Sequence, residues 1–552
     1  MNPEQKASLS ESVFPLEVHK MQVSKDGVEN FFWPVSYAER ERFLAQLMDG
    51  YFDLVEKYEE TDSALYYKLI GKYVMAETLG IFVGDLVHAR ARKAGVRFEL
   101  PETAKVWPLL FSEKTPAPPP FLYKLAQSPS AKSAQDFFSV ARFQRIFKRL
   151  KFSQKGLGID HLKIKPITRQ VLEDDVIALQ RDGTILAHVQ MVERDVVFCR
   201  SQRWFKPVSE RELFAVQEQD LDSDFVTGFV GLMENLYRDF DIELQRYSGA
   251  YFESFLRTGL SILRVHYGRL LEAPEALPKT VWSGSAGNIW DVMVRLAVMH
   301  RGGEAVGHDH GAGLAHVDNP MMGFSEFWGC QEFVAFNENQ AAELNKNKGK
   351  WRCFAFEPPT VTGISKDISK QSITKVPRFD VDDYKIKKIF FITTIYDDER
   401  CRLGPSSPGI VHVDWQARLI SHLRSWGYEI ILKLHPESPV MPPKVFENMG
   451  AEVMTDPFEV VMDQADMVLF DSVYSTTFRS VLSTNIPVAL IDFYNHPWTE
   501  KARGLLEKRC SFMEGRFDEQ NRKQVDWGAL QNAIERSVEL NDHTGFFDYY
   551  YE

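Results

Sequence analysis

A histidine followed by proline, in Lys433-Leu434-His435-Pro436-Glu437, stands directly after an apolar run from Tyr428 to Leu432 that reads as a strand. An imidazole at a strand end can donate a hydrogen bond to a phosphate oxygen, and the proline stops the strand and stiffens the turn that aims the ring. Glu437 is placed to orient that histidine or touch a sugar, and fits an exposed loop carboxylate equally well. A second stretch, Phe470-Asp471-Ser472-Val473-Tyr474-Ser475-Thr476-Thr477, joins the run DMVLF to a helical pattern. Hydroxyls and free backbone N–H groups at a helix start form an anion cradle that the helix dipole strengthens. Ser475 and Thr476, then Thr477, are the first candidates for phosphate or ribose contact, with Asp471 and Ser472 beside them. Simple N-capping by Ser475 or Thr476 is a compatible structural reading.

The third stretch is Gly307-His308-Asp309-His310-Gly311-Ala312-Gly313, with His316 downstream, at the end of another strand-like run. Histidine and aspartate beside flexible glycines can supply a general base with close approach to substrate, which makes Asp309 and His310 catalytic candidates and Gly311 and Gly313 contact candidates. A metal site built from His308, Asp309, His310 and His316 is the rival, and a structural glycine loop the plain alternative. Alternation along a strand puts His308 and His310 on one face and Asp309 on the other, which disfavours the metal. Ser283-Gly284-Ser285-Ala286-Gly287-Asn288 is a small-residue turn between strand and helix, where Ser283, Ser285 and Gly287 offer a weaker phosphate or acceptor contact. It lacks a P-loop lysine and the G-x-G-x-x-G spacing, which argues against an ATPase and a nicotinamide-dependent dehydrogenase.

Around these stretches the pattern predicts the elements that must hold them. At 552 residues the chain is too long for one core. Its net charge of −12 argues against a protein that coats nucleic acid, and its five dispersed cysteines read as reduced thiols. No basic start with an apolar run marks a secretion signal, and no stretch reaches the ~20 apolar residues of a membrane span. Residues 1–270 read as mainly helical with a small β element: helical spacing runs from Phe31 to Ala94 with Gly95 as a stop, and again from Asp222 to Leu271. Between them VIALQRDGTILAHVQM and RDVVFCR read as alternating strands, with Arg181-Asp182-Gly183 as a hairpin turn. The basic segment ARFQRIFKRLKFSQKG reads as a solvated helix face, or as a surface for an acidic acceptor or anionic lipid. Residues 271–375 form a β-α-β unit, TVWSGS, IWDVMVRLAVMHRGG, EAVGHDHG, with further strands EFVAFN and WRCFAF and a polar linker from Thr360 to Tyr384. Residues 376–517 alternate strand and helix as a mostly parallel sheet does, and 518–552 hold a final amphipathic helix, WGALQNAIERSVEL, expected to pack back across the other domain.

His435-Pro436 after a strand, followed by ADMVLFDSVYSTTFRSVLSTNIPVALID, resembles the donor domain of bacterial GT-B glycosyltransferases that make surface carbohydrates. The HP element is similar to that of sialyltransferases, Kdo transferases and CDP-glycerol transferases, and His310-Gly311 to the histidine-glycine element of glycerophosphotransferases. A group of bacterial surface-carbohydrate transferases first noted in spirochaetes shares the glycine-rich HG loop and the STTF-like segment. The resemblance covers roughly Thr280 to Phe493; VYSTTF stands where the glycerol transferases have a DYSS-like element, and HDHGAG where many relatives have QHGG. It implies an α/β, GT-B-like fold of two Rossmann-like domains with a largely helical N-terminal region. His435 would bond the donor phosphate, with Pro436, Glu437, Asp471, Ser472, Ser475, Thr476 and Thr477 on the donor, and Asp309 or His310 would act across the cleft. It also implies a CMP- or CDP-linked donor, a glycan, lipid-linked glycan or protein acceptor, no metal and no resident cofactor, and a cytoplasmic protein with peripheral contact at the inner membrane face. A CDP-glycerol or polyol-phosphate transferase, a sugar-nucleotide epimerase and a noncatalytic assembly or regulatory protein are the other readings.

Overall fold

The structure, a computed structural model, describes residues 13–551 except 17–19, 101–105, 117–164, 167–169, 181–182, 193, 218, 273–276, 285–287, 310–315, 319–322, 324–325, 352–357, 366–383, 394–405, 435–443, 457 and 474–475. Two sheets organise it. The first contains β1 (Lys165–Pro166), β2 (Val176–Ala178), β3 (Val196–Phe198), β4 (Thr280–Ser283), β5 (Glu304–His308), β6 (Glu332–Ala335) and β7 (Thr360–Gly363), in the order β7-β6-β5-β4-β2-β3-β1. The second contains β8 (Lys388–Ile392), β9 (Glu429–Lys433), β10 (Ala451–Met454), β11 (Met467–Phe470), β12 (Val488–Asp492) and β13 (Ser511–Glu514), in the order β10-β9-β8-β11-β12-β13. Every pairing in both is parallel. Parallel strands need crossovers that cover both faces, which is why Met467–Phe470 and Val488–Asp492 are buried at every position. Ile389 and Phe391 of β8 join one apolar core and Phe390 and Ile392 the other, as a two-residue period requires.

The helices that matter below are α1 (Tyr37–Glu56), α2 (Ala64–Ala94), α3 (Gly183–Val192), α4 (Ser223–Arg238), α5 (Arg246–Glu272), α6 (Ile289–His300), α7 (Glu338–Asn347), α8 (Gly409–Ser425), α9 (Thr476–Leu482), α10 (Trp527–Arg536) and α11 (Thr544–Tyr551). Helices α1, α2, α4 and α5 form the N-terminal bundle, with Phe43 stacked on Phe82 at 3.6 Å and Tyr67 on Phe225 at 3.7 Å between ring centroids. A capping box starts α1, where Ser36 accepts from the Glu39 N–H. Burial opposes the Glu39 charge, yet Arg90 and Ser36 hold its carboxyl down to about 2. Gly95 ends α2 at φ 73°, the left-handed cap that glycine adopts without strain.

Four expectations are corrected. TILAHVQM is helix α3, not the second arm of a hairpin: Ile185, Leu186 and Val189 bury one helical face on the sheet, and the helix starts at Gly183; Arg181 and Asp182 lie outside the described residues. The β element of residues 165–198 is no separate feature of the helical region, because its strands pair directly with β4 in the first sheet. Thr360–Gly363, expected in the linker, pairs in parallel with β6 as an edge strand. The amphipathic helix α10 packs on its own sheet, with Trp527 stacked on Trp415 and His422 of α8, and α11 crosses to the first domain instead, where the Asn337 side-chain amide donates to the Tyr549 carbonyl at 2.7 Å. Residues 366–383 of the linker, the basic segment and all but Trp351 of WRCFAF lie outside the described residues.

A segment ahead of α1 also binds the second domain. The hairpin Val23–Ser24/Gly27–Val28 lies on α8, where the Val28 N–H donates to buried Asp414 at 3.0 Å, and the Asn521 side-chain amide donates to the Trp33 carbonyl at 2.8 Å. The architecture is α/β: two Rossmann-like parallel-sheet units, a helical bundle on the first, and chain crossings at both ends.

Candidate functional site

In a doubly wound sheet the ligand crevice opens beyond the carboxyl ends of the two strands between which the winding reverses. In the second sheet those strands are β8 and β11, which end at Thr393 and Asp471. The Thr393 N–H and hydroxyl both donate to the Lys433 carbonyl, at 3.1 and 3.2 Å, which fixes this side of the crevice to the end of β9 just before His435. On the other side the Lys523 ammonium donates to Asp471 Oδ2 at 3.0 Å with both side chains almost fully buried. Burial works against the Lys523 charge, yet Asp471 beside it holds its pKa above the ordinary lysine value. The ammonium also lies over the faces of Phe493 (4.7 Å) and Tyr494 (5.2 Å).

Asp492, at the end of β12, accepts from the backbone N–H groups of Tyr494 and His496, from His496 Nδ1 at 2.7 Å and from Trp498 Nε1. Burial disfavours its charge, but those donors more than offset that and hold its pKa below the ordinary aspartate value. Tyr494 is thereby positioned so that its hydroxyl meets Ser407 Oγ at 2.9 Å, immediately before α8. Helix α8 starts at Pro408 with no side-chain cap and no acidic residue in its first turn, so its dipole end is not offset there. Thr476 and Thr477 open α9 beside Asp471, and half-buried Ser472 lies between them and the strand.

The first sheet reverses between β2 and β4, so its crevice lies past Gln180 and Ser283. The Gln180 side-chain amide donates to Asp291 of α6 at 2.7 Å across this point. Helix α6 is a poor phosphate cradle, because Asn288 already accepts from the Trp290 N–H at 3.1 Å and the Tyr73 hydroxyl from the Ile289 N–H at 3.2 Å. Both ring nitrogens of His308 are engaged: its Nδ1 meets the Ser283 carbonyl at 3.0 Å and its Nε2 meets His188 Nδ1 at 2.9 Å. Burial lowers both rings, His188 to about 4 and His308 well below the usual histidine range, so both are neutral. Since a carbonyl only accepts, His308 Nδ1 carries the proton and its Nε2 accepts from His188. Asp309 follows, fully buried, with its N–H on the Val334 carbonyl at 2.9 Å.

His316 belongs to the domain joint: its ring packs with Phe546 and Tyr549, and burial pulls its pKa to about 3. No group of three or more histidine, cysteine, aspartate or glutamate residues among the described residues could hold a metal ion. Cys199, Cys330 and Cys510 are buried and free. Asp309 and Ser283 thus stand at strand ends of the first sheet, and Asp471, Ser472, Thr476 and Thr477 at that of the second. His435, Pro436, Glu437, Ser475, Ser285, Gly287, His310, Gly311 and Gly313 lie outside the described residues. Sequence reasoning missed Lys523, Gln180, Thr393 and Tyr494. Only strand order could have found the last three, and Lys523 sits in a polar stretch that carries no signal of its own. A groove of about 690 Å³, lined by Lys279, Arg301, Glu304 and Glu332 among others, opens at the amino ends of the first-sheet strands, the pole opposite these crevices. No helix among the described residues is long and apolar enough to cross a membrane.

No family model matches the chain, and no curated protein does. Among solved structures it is similar to UDP-GlcNAc 2-epimerase from Neisseria meningitidis bound to UDP-GlcNAc, at 12% identity over 68% of this chain and 92% of that chain, with a TM-score of 0.31. It is similar to a UDP-glucosyltransferase from Polygonum tinctorium at 10% identity, 69% and 93% coverage and a TM-score of 0.34, and to a spinosyn rhamnosyltransferase at 11%, 68% and 95%, and 0.30. No site is carried across from them, and the two-sheet architecture stands on this chain's own strand pairings.

Proposed function

We propose that the chain is a nucleotide-sugar-dependent glycosyltransferase that moves a CMP-activated acidic sugar, a nonulosonate or Kdo, to a surface-glycan, lipid-linked-glycan or protein hydroxyl, without a bound metal or resident cofactor. The observation that supports it is the second sheet's reversal point between β8 and β11, where Thr393, Asp471, the α9 threonines and the uncapped start of α8 converge. In this reading the acceptor oxygen attacks the anomeric carbon, the bond from that carbon to the phosphate oxygen breaks, and CMP leaves with the electron pair. His435, two residues past β9, donates to the leaving phosphate, and the N–H groups at the helix starts share its charge. Asp309 or His310 takes the acceptor proton.

Calorimetric titration of the wild type and of His435→Ala with CMP, CDP, UDP and GDP tests this reading. The expected result is cytidine-selective binding, weakened about 10-fold or more by the loss of a charge-assisted hydrogen bond. Preference for UDP or GDP overturns the donor, and binding of none removes the donor site. Product mass then distinguishes transfer of a sugar from transfer of a phosphodiester-linked polyol.

A further inference from the structure

The buried Asp471–Lys523 pair leaves one carboxylate oxygen without a role. Oδ2 accepts from the ammonium, whereas Oδ1, equally buried, has no hydrogen-bond partner among the described residues. A buried acceptor without a partner is destabilising, and such groups persist where a ligand or water completes them. The charge of Asp471 is already met by Lys523, so Oδ1 suits neither a second cation, which the ammonium repels, nor a phosphate, which the carboxylate repels. What it fits is a neutral O–H or N–H donor.

The ammonium that fixes this geometry is itself fixed. Lys523 comes from a two-stranded hairpin, β14 (Arg516–Phe517) with β15 (Lys523–Gln524), and its carbonyl accepts from Arg418 Nη2 at 2.6 Å. Arg418 is held by Asp414 one helical turn away at 2.7 Å, and Asp414 accepts from the Val28 N–H of the N-terminal hairpin. Lys523 therefore cannot follow Asp471 if the carboxylate turns, so Oδ2 stays on the ammonium and Oδ1 is left over, on the residue that directly follows β11.

We propose that Asp471 Oδ1 receives a neutral hydrogen-bond donor from the nucleoside part of the ligand, a ribose hydroxyl or a base amine, and that Lys523 is the positioning residue that keeps this oxygen turned to it. The proposal rests on the donor-site reading above. It also predicts the outcome of an isosteric change: in Asp471→Asn the amide oxygen goes to the ammonium and the amide N–H groups face the ligand's donor, so the contact is lost although the shape is kept.

The test is calorimetric titration of the full chain with CDP, with 2′,3′-dideoxy-CDP, which lacks the hydroxyls, and with UDP, which lacks the exocyclic amine. The wild type should prefer CDP over at least one analogue by about 10-fold or more, and which analogue loses affinity identifies the group. Asp471→Asn and Lys523→Met should each bring that ratio close to one. A merely structural lysine would weaken all three ligands together and leave the ratio unchanged. Should Lys523→Met not fold, the double variant Asp471→Asn/Lys523→Met removes the buried charge altogether and should fold and bind without preference. A folded variant that keeps the wild-type ratio, or a wild type that binds all three alike, overturns the proposal and leaves the donor site standing. A wild type that binds none of the three overturns the donor-site reading and this inference together.

Discussion

Asp85 lies inside the helical bundle, where burial pushes its carboxyl up to about 7 and the Tyr237 hydroxyl at 2.9 Å only partly offsets the penalty. The folded chain therefore keeps a proton that the unfolded chain loses near pH 4. Stability from this group is full below the unfolded pKa and falls as pH rises, until it is gone above about 7. Denaturant unfolding of Asp85→Asn should show a flatter stability profile between pH 4 and 8, with a gain over the wild type at pH 8 on the order of 3 kcal/mol. A parallel pair of profiles would rule out Asp85 as the source. The same burial logic keeps His188 and His308 neutral, paired with each other and, through His308 Nδ1, with the Ser283 carbonyl. The alternation argument set His308 and Asp309 on opposite faces, and it is the His188 contact from α3 that shows what His308 does there instead.

At the scale of elements, long helices and buried strands were legible and the short α3 was not. Its apolar residues Ile185, Leu186 and Val189 lie within a ten-residue run, and over so few residues helical and strand periods both fit. What decides is the neighbour: β2 already pairs with β3 and β4 on its two edges, so the chain after Gly183 has no edge to join and covers a face instead. The N-terminal hairpin is another element whose role depends on what it meets. Gly27 has φ 104°, and a methyl group there would stand 2.4 Å from Asp414 Oδ1. Gly27→Ala should thus destabilise the protein by about 1–3 kcal/mol in urea unfolding, through backbone strain and displacement of Asp414. An unchanged midpoint would mean that the hairpin does not hold this position on α8.

Over the whole molecule, the two sheets are fastened at a joint built from residues 316–318, 497–499 and the last helix, α11. Val317 bridges Trp498, the Asp318 N–H donates to the Pro497 carbonyl at 2.7 Å and the Thr499 N–H to the His316 carbonyl at 2.8 Å. Arg479 of the second domain lies over Phe336 of the first at 4.0 Å, and α11 packs on α7. Phe546 and Tyr549 of α11 share one apolar core with Phe333 of the first sheet and Phe390 of the second. Removing residues 544–552 should uncouple the domains, and scanning calorimetry should then show two transitions where the full chain shows one. One transition at the original midpoint would show that the rest of the joint suffices.

The sequence by itself determined the parallel α/β character of the last third, the long N-terminal helices and the strand ends that carry Asp309, His435 and Asp471, because local period and strand-end chemistry are written in consecutive residues. It could not determine strand order, since pairing joins residues far apart and many orders share one alternation pattern. The tertiary structure alone brought β1–β3 into the first sheet, set the reversal points at β2/β4 and β8/β11, and carried Lys523 back to Asp471, 52 residues earlier in the chain. Burial did the rest: the same histidines and carboxylates that look interchangeable in a sequence become neutral, paired or left with an open acceptor according to what closes over them.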